Sequence, residues 1–175
     1  MNNVITIARR EMGVFFSSTL FWVLATAFML FGGLLFNLYI SSPQAQASMM
    51  PLLSLYGTVL LFVTPLMAMR LLAEEQRSGT LELLMTSPVQ DWQVVVGKWL
   101  GALMALLGMM ALTLSHVFVM SRLSEKGLAI GPTLSSYLGL ALLCAALLAL
   151  GVLTSSVTEN QVVAGGLALG LVGVV

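Results

Sequence analysis

Long apolar runs alternate with short polar breaks along this chain, and the spacing of the breaks predicts membrane-crossing helices. No charged residue occurs from Met12 to Met69. That run is too long for one crossing and suits two, because about 20 helical residues span the roughly 30 Å of bilayer hydrocarbon. Residues 20–40 (LFWVLATAFMLFGGLLFNLYI) form the first predicted span and 51–69 (PLLSLYGTVLLFVTPLMAM) the second. Pro43, in the polar break SSPQAQAS, disfavours a continuous helix between them. Pro65 predicts a local bend inside the second span. A third span is predicted over 99–121 and a fourth over 133–153, separated by the polar turn SRLSEKGLAIGP. A fifth begins after TSSVTENQ and covers 162–175. At 1.5 Å per residue it reaches only about 21 Å. The expectation is an incomplete crossing and a natural chain that continues further. At the other end, Val4, Ile5, Ala8, Met12 and Phe15 fall near one helical face, with Arg9 and Glu11 off it. That pattern predicts an interfacial amphipathic helix over 1–18.

Composition reinforces the membrane reading. Hydrophobic residues make up 59% of the 175 and charged residues 8%, against about 25% charged in an ordinary soluble domain. Mean hydropathy is +1.02. A water-soluble fold of this size could not hide so much apolar surface. The formal net charge is zero, so there is no basic surface for nucleic acid. The single cysteine, Cys144, can form neither an internal disulfide nor a metal cluster and reads as an apolar filler. The twelve methionines read as adaptable packing. Lys and Arg orient the chain. With the N-terminus inside, Arg9, Arg10, Arg70, Arg77 and Lys98 lie inside, while Arg122 and Lys126 lie outside, which favours a cytoplasmic N-terminus.

Catalytic signatures are missing from the sequence. There is no G-x-x-x-x-G-K-[ST] to cradle a triphosphate and no H-E-x-x-H. Ser115 and His116 are adjacent, so on a helix they point about 100° apart and cannot act as a nucleophile–base pair. Asn37, Thr64, Thr113 and His116 are polar groups inside spans. They could line a pathway, or they could bond helices to one another. Gly97-x-x-x-Gly101 and Gly166-x-x-x-Gly170 offer faces for close helix approach, within the chain or between subunits.

The charge is unevenly spread. Seven of the fourteen formally charged side chains fall in residues 70–98, a predicted cytoplasmic loop between the second and third spans. Its first half is rich in helix formers. Its second half opens with Ser87-Pro88-Val89-Gln90, a capping box with proline at the first helical position. Two helical pieces broken near Thr86–Pro88 are therefore expected. Leu81, Leu84 and Met85 share a face, with Glu82 off it. A short amphipathic helix of this kind suits either the membrane surface or a groove on a partner.

MRLLAEEQRSGTLELLMTSPVQDWQVVVGKW, residues 69–99, resembles the signature loop of ABC type-2 transporter permeases. ARREMGVFFSS near the start and SSYLGLALLCAALLALGVLTSSVTENQVVA, residues 135–164, are similar to the same family, most of all to the gliding-motility-associated branch. The resemblance implies an all-α integral membrane protein with a permease-like helical bundle of about six helices, of which five spans are visible, the fifth incomplete and the sixth absent. It implies a non-enzymatic subunit that binds no cofactor itself and pairs with a second permease subunit. ATP and Mg would sit on a separate ABC ATPase subunit. That ATPase would dock on a coupling helix formed or flanked by Gly79, Thr80, Leu81, Glu82, Leu83, Leu84 and Met85, and ended by Pro88. Arg70, Glu74, Glu75 and Arg77 would sit at the cytoplasmic end of the second helix. The expected location is a bacterial cytoplasmic (inner) membrane. An alternative is an ATP-driven scaffold that transmits force without moving a substrate.

Overall fold

With lipid as solvent, each backbone N–H and C=O has to find its partner within the same helix or in a closed barrel. The sequence takes the first route. The structure, a computed structural model, describes residues 2–42, 48–71, 90–123, 128–157 and 160–174. These residues form helices α1 (Asn2–Ser17), α2 (Thr19–Ile40), α3 (Met50–Ala68), α4 (Asp91–Leu112), α5 (Leu114–Leu123), α6 (Ile130–Val157) and α7 (Gln161–Val174). Four helical stretches among them are long and apolar enough to cross a membrane: α2, α3, α4 with α5, and α6. The 14 residues of α7 rise about 21 Å, less than the hydrocarbon thickness.

The third stretch differs from the expected 99–121. It runs from Asp91 to Leu123, 33 residues, or about 50 Å of helix. The uncharged part between Lys98 and Arg122 already suffices to cross, so about two turns at the Asp91 end of α4 exceed the length a crossing needs. It is also interrupted at Thr113. The Thr113 hydroxyl donates to the Met110 carbonyl at 2.6 Å, and the Thr113 N–H bonds to the same carbonyl at 3.0 Å. This tight turn closes α4 and starts α5. A threonine in an apolar run carries no distinct sequence mark for such a break, because its back-bonding is equally compatible with an unbroken helix.

Helix α3 lies at the centre. Leu52, Leu53, Tyr56, Leu60, Met67 and Ala68 are almost fully buried. Helix α3 runs in the same direction as α6, since Gly57 meets Leu140 near one end and Ala68 meets Gly151 near the other. Leu30, Leu34 and Leu38 on α2, and Leu134, Leu138 and Leu142 on α6, point outward at about helical spacing, as lipid-facing side chains do. The α3 helix continues through Pro65, whose carbonyl accepts the Met69 N–H at 2.9 Å.

The most extensive helix contact among the described residues is between α1 and α4, followed by α3 with α6. The sequence reading gave α1 to the membrane surface. Instead, Val4 and Phe15 are buried, and the backbone of α1 at Val4 and Ala8 lies against glycines of α4. Its apolar stripe covers a protein helix. Ile5 and Phe16, on the next flank, stay exposed.

Gly151 has no room for a side chain, because an added methyl would overlap the Ala68 methyl. Gly151→Ala should lower the thermal stability of the detergent-purified protein by about 1–3 kcal/mol, the usual cost of overpacking. Adding Ala68→Gly should restore most of that loss, as read by the unfolding midpoint.

Candidate functional site

The segment between α3 and α4 carries the chain's densest charge, so the elements that hold its two ends decide what a force applied there would do. On the descending side, α3 ends at Ala68 and the chain continues through Met69, Arg70 and Leu71, the last of these buried. Three neighbours grip this corner. The Arg70 guanidinium donates through Nη1 to the Ser18 hydroxyl at 2.8 Å, reaching the single residue that joins α1 to α2. Ser155 on α6 donates to the Met69 carbonyl at 3.4 Å. Gly165 on α7 lets Met69 approach, with the Met69 sulfur 3.1 Å from where a Cβ would stand.

On the ascending side the partner is α1. Asn3 donates to Gln93 at 3.3 Å. Ile7 and the Val4 carbonyl lie over Gly97, and Glu11 and the Ala8 carbonyl lie over Gly101. Phe16 reaches Gly108. The paired positions rise together along both helices, so α1 and α4 run parallel. A Cβ at Gly101 would stand 2.8 Å from the Ala8 carbonyl and 2.6 Å from Glu11 Cβ, and one at Gly97 would stand 2.7 Å from Ile7 Cγ2. Only glycine allows backbones this close, so Gly97-x-x-x-Gly101 serves packing within the chain. In the fifth predicted span the outcome differs. Gly165 packs against Met69, whereas Gly166 and Gly170 meet no side chain of the described residues.

Beside the two glycines, Lys98 Nζ donates to Glu11 Oε2 at 3.2 Å. The side chains are only 4% and 14% exposed. Two charges withdrawn this far from water hold their helices in register, because removing one partner leaves the other buried and uncompensated, typically at about 3–5 kcal/mol. The sequence reading used Lys98 as a loop boundary and Glu11 as an off-face charge, and it did not pair them. The available signal was that each is the last charge before a long uncharged run.

One N-terminal element thus ties both arms of the charged segment. Helix α1 holds α4 along four turns, and the Ser18 link that follows it holds α3 through Arg70. Helices α3 and α4 make little contact with each other. Of the residues assigned to the docking segment from sequence, Arg70 is placed at this corner. Glu74, Glu75, Arg77, Gly79, Thr80, Leu81, Glu82, Leu83, Leu84, Met85 and Pro88 lie outside the described residues.

The four candidate pathway residues do not converge. Asn37 is exposed on α2. Thr64 is fully buried in α3, and its hydroxyl has no partner at hydrogen-bond geometry; the buried Cys144 thiol, a weak donor, is its polar neighbour. His116 joins a polar tie between α3 and α5. Tyr56 donates to the Gly32 carbonyl at 3.2 Å and also contacts His116 Nδ1 at 3.2 Å. Tyr56 has one proton and spends it on Gly32, so the His116 contact requires the Nδ1–H tautomer as donor. By the same logic, Thr113 gives its proton to Met110, and the Tyr137 hydroxyl donates to Thr113 at 2.8 Å. These bonds link α2, α3, α5 and α6 and fix the break between α4 and α5. They join helices to one another.

No curated protein matches the chain. The model of the ABC-2 family transporter proteins matches residues 5–175, nearly its full length. Several apolar helices and that match together establish a multi-pass membrane protein, the permease type of subunit that operates with an ABC ATPase partner. The chain belongs to the ABC-2 family of transporter proteins.

Proposed function

We infer that this permease subunit receives mechanical work from a separate ATPase at the segment between α3 and α4. The observation that carries this reading is the tying of both arms of that segment to one N-terminal element, by Arg70 to Ser18 and by Lys98 to Glu11. A loop that only covered a helix turn would need no such anchorage. A loop that is pushed does, because a displacement reaches the membrane only through stiff connections. The chain carries no phosphate-cradling loop of its own, so ATP and Mg belong to the ATPase. On this reading the docking role falls to Gly79–Met85, which the family resemblance gives as forming or flanking the coupling helix, with the leucines as apolar anchor and Glu74, Glu75, Arg77 and Glu82 setting orientation and partner choice.

The remaining assignments are part of the same reading. The N-terminus is cytoplasmic, the membrane is the bacterial inner membrane, and two permease subunits enclose the pathway. The direction of transport is outward: the outer turns at residues 41–48 and 121–132 are short, and they leave little surface for capturing a substrate outside.

Glu82→Lys combined with Leu84→Asp should remove the ATPase from the affinity-purified permease while leaving the permease in the membrane at normal yield. Pull-down of the ATPase encoded beside this chain, with and without the double substitution, checks this. Equal recovery of the ATPase with both proteins would contradict docking at this segment.

A further inference from the structure

We propose that Glu11 and Lys98 pin α1 to α4 as one rigid two-helix lever, which turns about the Ser18–Arg70 contact when the ATPase moves the segment between α3 and α4. The proposal rests on the docking reading above and adds which parts move together.

The stiffness of the contacts is unequal. Helices α1 and α4 touch along most of α1, from Asn3–Gln93 to Phe16–Gly108, with backbone against backbone at Gly97 and Gly101. The buried Lys98–Glu11 pair fixes their register. Sliding by one residue would rotate the helices by about 100° relative to each other's faces and part the two charges. Among the described residues, the contact of α3 with α4 is slight beside that of α1 with α4. At Ser18 the connection narrows to one residue in extended conformation (φ −81°, ψ 127°), which makes no side-chain cap to α2. Its hydroxyl instead accepts the Arg70 bond. A wide stiff contact on one side and a one-residue joint on the other localise bending at the joint.

Position also matters. The first turns of α4 begin at Asp91, within the charged stretch 70–98, so a displacement of that stretch enters α4 directly. Helix α4 also touches α6, through Trp99 Nε1, which donates to the Ala145 carbonyl at 3.0 Å. The lever therefore has a path into the bundle that does not pass through α3. Glu11 and Lys98 are positioning residues here: they bind neither nucleotide nor substrate, and they keep α1 and α4 moving as one.

The test uses the full permease with its ATPase in lipid nanodiscs, in a Cys144→Ala background. Spin labels at exposed Arg9 and Leu112 report distance within the lever; labels at Arg9 and exposed Leu55 report distance between the lever and α3. Pulsed dipolar spectroscopy compares the nucleotide-free complex with the complex trapped by ATP and orthovanadate. The Arg9–Leu112 distance should stay the same in both states, while Arg9–Leu55 shifts. Glu11→Ala should broaden the Arg9–Leu112 distribution and make it depend on nucleotide. The exchanged pair Glu11→Lys with Lys98→Glu should narrow it again, which a general folding defect would not do. An Arg9–Leu112 distance that follows nucleotide in the unsubstituted complex, or a distribution unchanged by Glu11→Ala, would overturn the lever. So would the absence of any shift at Arg9–Leu55. Failure of the unsubstituted permease to retain the ATPase would instead overturn the docking reading, and the lever with it.

Discussion

Two glycines one helical turn apart allow α1 to lie with its backbone against α4, and the end of the protein that carries the charged segment is arranged around that contact. A side chain at Gly101 would push against the Ala8 carbonyl and Glu11, separating the helices. Separation would expose the Lys98–Glu11 pair and draw Ser18 away from Arg70, so three features rest on the absence of two methyl groups. In lipid, where apolar surface gives helices little reason to associate, close packing and buried polar pairs supply the holding energy. Here both occur at the same place.

The part of the bundle around Tyr56 and Thr113 is held by a different device. Tyr56, His116, Thr113 and Tyr137 form two short chains of hydrogen bonds across four helices, with a helix break at Thr113. Each proton has one consistent assignment, so the ties are directional and fix which helix face meets which. The protein thus combines one end locked by neutral hydrogen bonds with another joined by an ion pair and a one-residue link between α1 and α2.

Much of this was legible in the sequence, and the reasons are physical. Membrane helices appear as uncharged runs, because lipid admits few charges, so the apolar segments were visible as such. The family was visible in a loop whose charges and leucines are interleaved in a specific order. Two things were not legible. A helix running from the 87–91 capping region into the third span was legible, but that its first turns lie on α1 was not. The pairing of Glu11 with Lys98 was hidden by 87 residues of separation. Amphipathicity placed Val4, Ala8 and Phe15 on one face of α1 but could not tell whether lipid or another helix would cover that face. Gly97 and Gly101, whose role stayed open between intrachain and intersubunit packing, held the answer.

The central claim is that α1 is a bound part of the helix bundle and not an independent surface helix. Hydrogen–deuterium exchange of the permease in nanodiscs, with and without Gly101→Leu, tests this most directly. The account predicts that the backbone amides of residues 3–17 exchange as slowly as those of 93–108 in the unsubstituted protein, and that Gly101→Leu deprotects 3–17 while α3 and α6 stay protected. Fast exchange of 3–17 in the unsubstituted protein, or protection unaffected by Gly101→Leu, would contradict it.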